Sequence, residues 1–105
     1  MFRPKIKVLD CTIRDGGLMN NHQFEDDLVR ATYRALSESG IDYMEVGYKN
    51  SRKMFSAKEF GKWKFCDDED IKKMMDGIES KMKISVMVDV GRVDIDDVKP
   101  KIFAG

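Results

Sequence analysis

The feature that most constrains this chain is a repeated switch in hydrophobic period. Apolar residues alternate over residues 5–13, take helical spacing over 25–39, and alternate again over 42–48. The cycle then repeats, with a helical stretch over 67–80 and an alternating one over 83–90. Residues 94–98 open a third helical pattern, which Pro100 disturbs. The first helix is expected to bury Leu28, Ala31, Thr32, Ala35 and Leu36. Acidic Glu25, Asp26 and Asp27 suit its start, and Gly40 suits its stop. The second is expected to be capped by Asp67 or Asp68 and to bury Ile71, Met74, Met75 and Ile78, with Met82 extending the stripe.

The order β-α-β-α-β-(α) predicts an α/β fold with parallel strands joined by right-handed crossovers. Two architectures satisfy it, an open doubly wound sheet and a (β/α)8 barrel. Strands covered by helices on both faces are apolar throughout. Here Leu9, Cys11 and Ile13 oppose Asp10, Thr12 and Arg14. Met44 and Val46 oppose Tyr43, Glu45 and Gly47, and Val86, Val88 and Val90 oppose Ser85, Met87 and Asp89. One apolar face and one polar or small face favour the barrel, with Arg14, Glu45 and Asp89 aimed into one space near the strands' carboxyl ends. That end is where barrel enzymes keep their chemistry.

Composition narrows the class. With 105 residues, 42% of them hydrophobic and 36% charged, the chain is long enough for one globular domain. Nineteen basic side chains balance nineteen acidic ones, so no charge excess points to nucleic acid, and no nucleic-acid partner is expected. No apolar run reaches the roughly 20 residues of a membrane span, and the opening MFRPKIKVLD has no signal-peptide core. No membrane partner is expected, and the expected location is the cytoplasm. Cys11 and Cys66 lie far apart and read as two reduced thiols. A full barrel needs about 250 residues. Three strands are therefore expected to be the opening part of a longer protein, with an open edge prone to self-association. The alternative is a compact three-stranded domain that dimerises to cover itself.

The stretch LDCTIRDGG, residues 9–17, carries the most specific chemistry. Asp15 is placed to hold a hard divalent cation through oxygen, and Arg14 to hold a carboxylate or a developing enolate oxygen. Gly16 and Gly17 would permit a tight turn and close ligand approach. Taken alone, the Arg-Asp-Gly triplet reads better as a structural ion pair in a loop. The longer string, with Asp10, Thr12, Arg14, Asp15 and Gly16 in register, resembles the D-x-T-x-R-D-G signature of the pyruvate carboxyltransferase or HMG-CoA lyase-like family, the DRE-TIM metallolyases. The strand YMEVGY at residues 43–48 is similar to that family's E-V-G strand, near its 4-hydroxy-2-oxovalerate aldolase-like members.

The resemblance implies the N-terminal part of an aldolase-type (β/α)8 barrel, residues 1–105. It implies a lyase or aldolase acting on a small 2-oxo acid through a metal-stabilised enolate. Asp15 then stands as a metal ligand, Arg14 as the group that stabilises enolate charge, and Glu45 as the second-strand glutamate that supports the site. The full-length protein would use Mn²⁺ or Mg²⁺, with a histidine pair beyond residue 105. No bound metal and no activity are expected of this stretch in isolation. One departure stands out. The hydroxy-ketoacid aldolases of the family carry a histidine base four residues after the signature arginine, and that position here is Leu18. His22, the only histidine, is similar to a neighbouring family histidine; it reads first as a loop or helix-start residue, with a catalytic role as the second reading.

The segment 49–66, KNSRKMFSAKEFGKWKFC, exceeds a normal connection and interleaves Lys49, Arg52, Lys53, Lys58, Lys62 and Lys64 with Phe55, Phe60, Trp63 and Phe65. Two readings stand level: a lid that attracts an anionic substrate, and a solvated basic loop anchored by aromatic burial. Single-stranded nucleic acid is a weaker third. Tyr48 and Lys49, together with Asp89, are expected to line the substrate site. The alternative to an enzyme is a non-catalytic barrel relative that binds an anionic metabolite or partner through this segment.

Overall fold

A computed structural model describes residues 6–52 and 54–88. The elements run β1 (Leu9–Asp10), α1 (Thr12–Gly16), a 3-10 turn (Gly17–Met19), α2 (Asp26–Glu38), β2 (Tyr43–Tyr48), a second 3-10 turn (Lys62–Lys64), α3 (Asp68–Met75) and β3 (Lys83–Met87). The three strands form one parallel sheet in the order β1-β2-β3. The expected α/β fold with parallel strands is present. The expected third helix, together with Asp89 and Val90, lies outside the described residues.

The first strand is much shorter than its alternation suggested. The Asp10 carboxylate accepts hydrogen bonds from the Thr12 backbone N–H at 3.0 Å and from the Thr12 hydroxyl at 2.9 Å. A side chain that captures the backbone two residues ahead offers the chain an alternative to the sheet ladder. The strand stops there, and a five-residue helix begins at Thr12. Period two therefore fails after Asp10, and helical phase decides where Ile13 and Arg14 point. Ile13 enters the core; Arg14 turns toward β2.

In α2 the bounds agree with the sequence to within a residue at each end, and Gly40 takes the left-handed φ of +79° beyond the helix. Its buried face does not agree. Val29 and Tyr33 are completely buried, whereas Leu28 is 52% exposed. Of the expected stripe, only Leu36 packs against the core. A branched and an aromatic side chain four residues apart fill the space above β2 better than the small residues at 31, 32 and 35. In α3 the expected stripe holds: Ile71 and Met74 are buried, Met75 and Ile78 pack beside them, and Met82 joins the cluster. The helix ends at Met75, earlier than expected, because Gly77 adopts a φ of +72°.

Both helices lie over the β2 face that carries Met44 and Val46, and these side chains share one core. Trp63 and Cys66 close it from the segment that follows β2. Gly47 makes that closure possible. A Cβ there would fall 2.0 Å from the Trp63 carbonyl oxygen and 2.9 Å from Cys66 Sγ. Among the described residues no helix is long and apolar enough to cross a membrane.

The corrected core makes a direct prediction. Val29→Ala should lower unfolding free energy by about 2 kcal/mol, since it removes a fully buried apolar side chain. Leu28→Ala should change it by less than about 0.5 kcal/mol, as surface substitutions do. Urea midpoints of the two variants, measured side by side, decide between this packing and the stripe read from periodicity.

Candidate functional site

The site forms where α1 meets β2, at the carboxyl end of the sheet. Cys11 and Arg14 are three residues apart across the helix start, so they share a face. Both donate to the same oxygen, Glu45 Oε2: Cys11 Sγ from 3.2 Å and Arg14 Nε from 3.1 Å. The side chains of Arg14 and Glu45 are 19% and 11% exposed, so this is a largely desolvated pair. Burial opposes the Arg14 charge, but hydrogen bonds with Cys11, Tyr48 and Glu45 outweigh it and hold the guanidinium protonated above its ordinary range. Burial, reinforced by the Glu45 carboxylate, pushes the Cys11 thiol up, so Cys11 serves as a neutral donor.

β2 is irregular where it matters. Its register with β3 shifts between Glu45 and Gly47: Glu45 pairs with Ser85, and Gly47 with Val86. Val46 is the extra residue of a bulge. In a regular strand Glu45 and Tyr48, three apart, would face opposite ways. Here Glu45 accepts from Arg14 Nε at 3.1 Å. The Tyr48 ring meets the edge of His22 at 5.2 Å between centroids, and the Lys64 ammonium lies 5.1 Å from its centre. Lys64 itself is buried, with the Phe55 and Phe60 rings at 4.4 and 4.9 Å.

The expected site residues therefore fare differently. Arg14 and Glu45 come together, and Tyr48 packs against His22 and Lys64. Asp15 is adjacent, 4.0 Å from Arg14 Nη1, and its side chain is 74% exposed. Lys49 donates from Nζ to the Cys66 carbonyl at 3.2 Å, which turns it toward the segment's own backbone. Asp89 lies outside the described residues. Gly16 and Gly17 have helical φ values of −59° and −61°, so left-handed freedom is not their role. Gly17 is needed for another reason: a Cβ on it would lie 1.9 Å from His22 Nδ1.

His22 lies in the turn before α2, as expected of a loop residue, but sequence reasoning missed its burial: it is 1% exposed, with φ +59° and with Nδ1 lacking a hydrogen-bond partner. Burial, with Lys64 and Arg14 nearby, pushes its pKa down to about 4. Cys11 was also missed as a partner of Glu45. Its signal was the three-residue step to Arg14, legible only once residues 12–16 are known to be helical. Ser85, opposite Glu45 in register, adds a buried hydroxyl without a partner.

The segment 49–66 uses much of its charge internally. Arg52 forms a two-point pair with Asp67 at 2.9 and 2.6 Å and lies 4.5 Å from the Phe65 ring centre. That pairing draws the Asp67 carboxyl below its ordinary range. Lys62 binds Asp26 at 2.9 Å and Asp70 at 3.7 Å. Trp63 and Phe65 are buried. These contacts fit aromatic anchoring better than a lid that presents open cations.

A hard cation needs several oxygen ligands. Among the described residues no group of three or more His, Cys, Asp or Glu side chains is arranged to hold a metal ion. The donor set is nonetheless of the right kind at one point. Asp15 offers a solvent-facing carboxylate beside Arg14, whereas Asp10 is engaged by Thr12 and Glu45 by Arg14 and Cys11. These residues fit a divalent cation only as a partial ligand set.

Parallel strands in sequential order, helices packed together on one face and polar groups at the carboxyl end make an open α/β sheet, and proteins similar to it in sequence and fold are known. The chain is 29% identical over 99 residues, 94% of its length, to 4-hydroxy-2-oxovalerate aldolase of Moorella thermoacetica, of which it covers 29%. Over 41 residues, 39% of the chain, it is 46% identical to oxaloacetate decarboxylase of Mycobacterium tuberculosis, of which it covers 12%. The crystal structure of the N-terminal domain of a candidate aldolase from Bacteroides vulgatus superposes with a TM-score of 0.65 and 37% identity, covering 77% of this chain and 25% of that one. No protein-family model matches. In sequence and in fold, the chain resembles the N-terminal part of the 4-hydroxy-2-oxovalerate aldolase group, and it spans less than a third of the curated relatives' length.

The buried imidazole gives a pH prediction. Its folded pKa of about 4 lies below the ordinary 6.5, so between those values the unfolded chain binds the extra proton. The stability contributed by a neutral His22 should be complete above pH 6.5 and fall as pH drops toward 4. Urea midpoints at pH 7 and pH 5 should differ, and His22→Gln should shrink that difference. The Asp67–Arg52 pair loses its contribution only at more acid pH, as the carboxylate is protonated.

Proposed function

We propose that residues 1–105 are the N-terminal portion of an aldolase-type catalytic domain. The whole protein is then a divalent-metal-dependent carbon–carbon lyase or aldolase acting on a small 2-oxo acid through an enolate. The activity belongs to the complete barrel and not to this stretch alone. The observation that carries the proposal is the Arg14 guanidinium, held by Glu45 at the sheet's carboxyl end beside the open carboxylate of Asp15. The names of the relatives, an aldolase for a 4-hydroxy-2-oxo acid and a decarboxylase for oxaloacetate, support a 2-oxo acid as the substrate class.

Each residue has a distinct task. Asp15 supplies one oxygen ligand to a cation, with the remaining ligands drawn from elsewhere in the protein. When bound, Mn²⁺ or Mg²⁺ would polarise the 2-oxo carbonyl. Arg14 turns its remaining N–H donors toward the oxygen on which charge accumulates as the bond breaks. Glu45 accepts from Nε and so fixes the direction of those donors; Cys11 shares the same carboxylate oxygen. Leu18, 60% exposed, stands where the hydroxy-ketoacid aldolases carry their base and cannot move a proton. The alternative of a non-catalytic binder working through residues 49–66 is weakened by the internal pairing of Arg52 and Lys62.

The test is exchange of solvent deuterium into the methyl group of pyruvate by the full-length protein with Mn²⁺. Exchange should be measurable in the wild type and should drop by at least about a hundredfold in Arg14→Ala, as when an oxyanion donor is removed. Asp15→Asn should lose it through weaker cation binding. A wild-type protein inert toward every common 2-oxo acid would rule out the lyase and leave the binder.

A further inference from the structure

Helical winding does not stop at the end of α1. Gly16 and Gly17 keep helical φ values of −59° and −61°, the Gly17 N–H donates to the Ile13 carbonyl, and the 3-10 turn Gly17–Met19 carries the winding on. Leu18 therefore stands four residues beyond Arg14 and three beyond Asp15. At those spacings helix neighbours share a face, with Cβ atoms about 5–6 Å apart. Side chains on a helix also lean toward its amino end, over the preceding turn. The turn that precedes Leu18 carries the Arg14 guanidinium and the Asp15 carboxylate. An exposed leucine has no meaning by itself. This one, 60% exposed, leans over the two groups assigned to the reaction.

We infer that Leu18 is a specificity-determining residue: it forms an apolar wall for the carbon end of the 2-oxo acid, so the site favours an alkyl substituent over a charged one. This role deepens the proposed function and rests on it for its chemistry. The polar end of a 2-oxo acid, its carboxylate and carbonyl, is what a guanidinium and a cation at Asp15 hold. Leucine offers neither donor nor acceptor, so what reaches it is carbon. A second carboxylate there would lose water and gain no partner. Lys49, the cation just past β2, is turned to the Cys66 carbonyl at 3.2 Å. The wall is also fixed in place. The Gly17 carbonyl accepts from the His22 N–H at 2.9 Å, Asn20 Nδ2 donates to the Gln23 carbonyl at 2.8 Å, and Gln23 Nε2 donates to the Glu59 carbonyl at 3.0 Å. A rigid apolar surface selects by shape and polarity better than a mobile one.

Leu18→Ala changes an exposed side chain, so the fold should survive, which its urea midpoint checks. The first measurement is methyl NMR of the full-length protein with ¹³C-methyl leucine, the Leu18 signals being assigned by their loss in Leu18→Ala. Titration with pyruvate or 2-oxobutanoate beside Mg²⁺ should move these signals saturably. The extra CH₂ of 2-oxobutanoate should tighten binding about fourfold. The second is kcat/KM for deuterium exchange at the carbon beside the carbonyl, with Mn²⁺. The ratio of 2-oxobutanoate to pyruvate should fall about fourfold in Leu18→Ala, a comparison in which intrinsic reactivity cancels. Wild type should prefer 2-oxopentanoate to 2-oxoglutarate, which bears a carboxylate in place of the terminal methyl, and Leu18→Lys should reverse that preference. Leu18 methyl signals unmoved by either acid overturn the inference. So does a substrate ratio that Leu18→Ala leaves unchanged, even where pyruvate exchange itself upholds the proposed function. Length-dependent Leu18 shifts in a protein that exchanges none of these acids would keep the wall and remove the proposed reaction alone.

Discussion

The contact on which the rest depends is the pair between Arg14 and Glu45. It ties the one-turn helix after β1 to the middle of β2, and it does so with charges that are largely out of water. Such a pair repays its desolvation only when geometry is good and the spare hydrogen-bonding capacity is used. Here it is used: Cys11 donates to the same carboxylate oxygen. The result is a fixed positive group at the carboxyl end of the sheet, next to a carboxylate left open to solvent. Structural tie and chemical apparatus are the same atoms, so damage to either partner should be felt in both.

Two backbone irregularities make that contact possible. The Asp10 side chain ends β1 early and starts a helix, which brings Cys11 and Arg14 onto one face. The bulge in β2 shifts its register with β3 between Glu45 and Gly47, just beside the Glu45 carboxylate. Neither device costs the core anything, because Ile13, Met44 and Val46 still face inward. Two close approaches hold the surroundings in place. Gly17 lets His22 lie against the helix end, and Gly47 lets the Trp63 turn lie against β2. A side chain at either position would drive a wedge between a site element and its support.

The segment after β2 illustrates how charge and aromatic content mislead when read as composition. Its cations suggested an electrostatic lure for anions. In the folded chain Arg52 and Lys62 are paired, and Lys64 is buried among aromatic rings. Lys64 shapes the site by field and packing, since it lies over Tyr48 and helps keep His22 uncharged. The segment is thus a wall of the site whose electrostatics face inward.

The sequence by itself determined the order of elements, the parallel sheet, the bounds of α2 and β2 and the buried stripe of α3, because hydrophobic period and helix-stop glycines are local signals. It also carried the aldolase resemblance and the meeting of Arg14 with Glu45. Some missed features had local cues: Asp10 two residues before Thr12 is a turn-forming pair, and a glycine within a strand, as at Gly47, often marks a bulge or a close approach. Tertiary structure alone decided the rest. Which face of α2 is buried depends on the volume above Met44 and Val46, so Val29 and Tyr33 displaced Leu28. The burial of His22 depends on Gly17 and on the Gly61 backbone almost forty residues away, and no window of sequence contains both. Cys11 shares the Glu45 carboxylate with Arg14 only because residues 12–16 fold as a helix against β2.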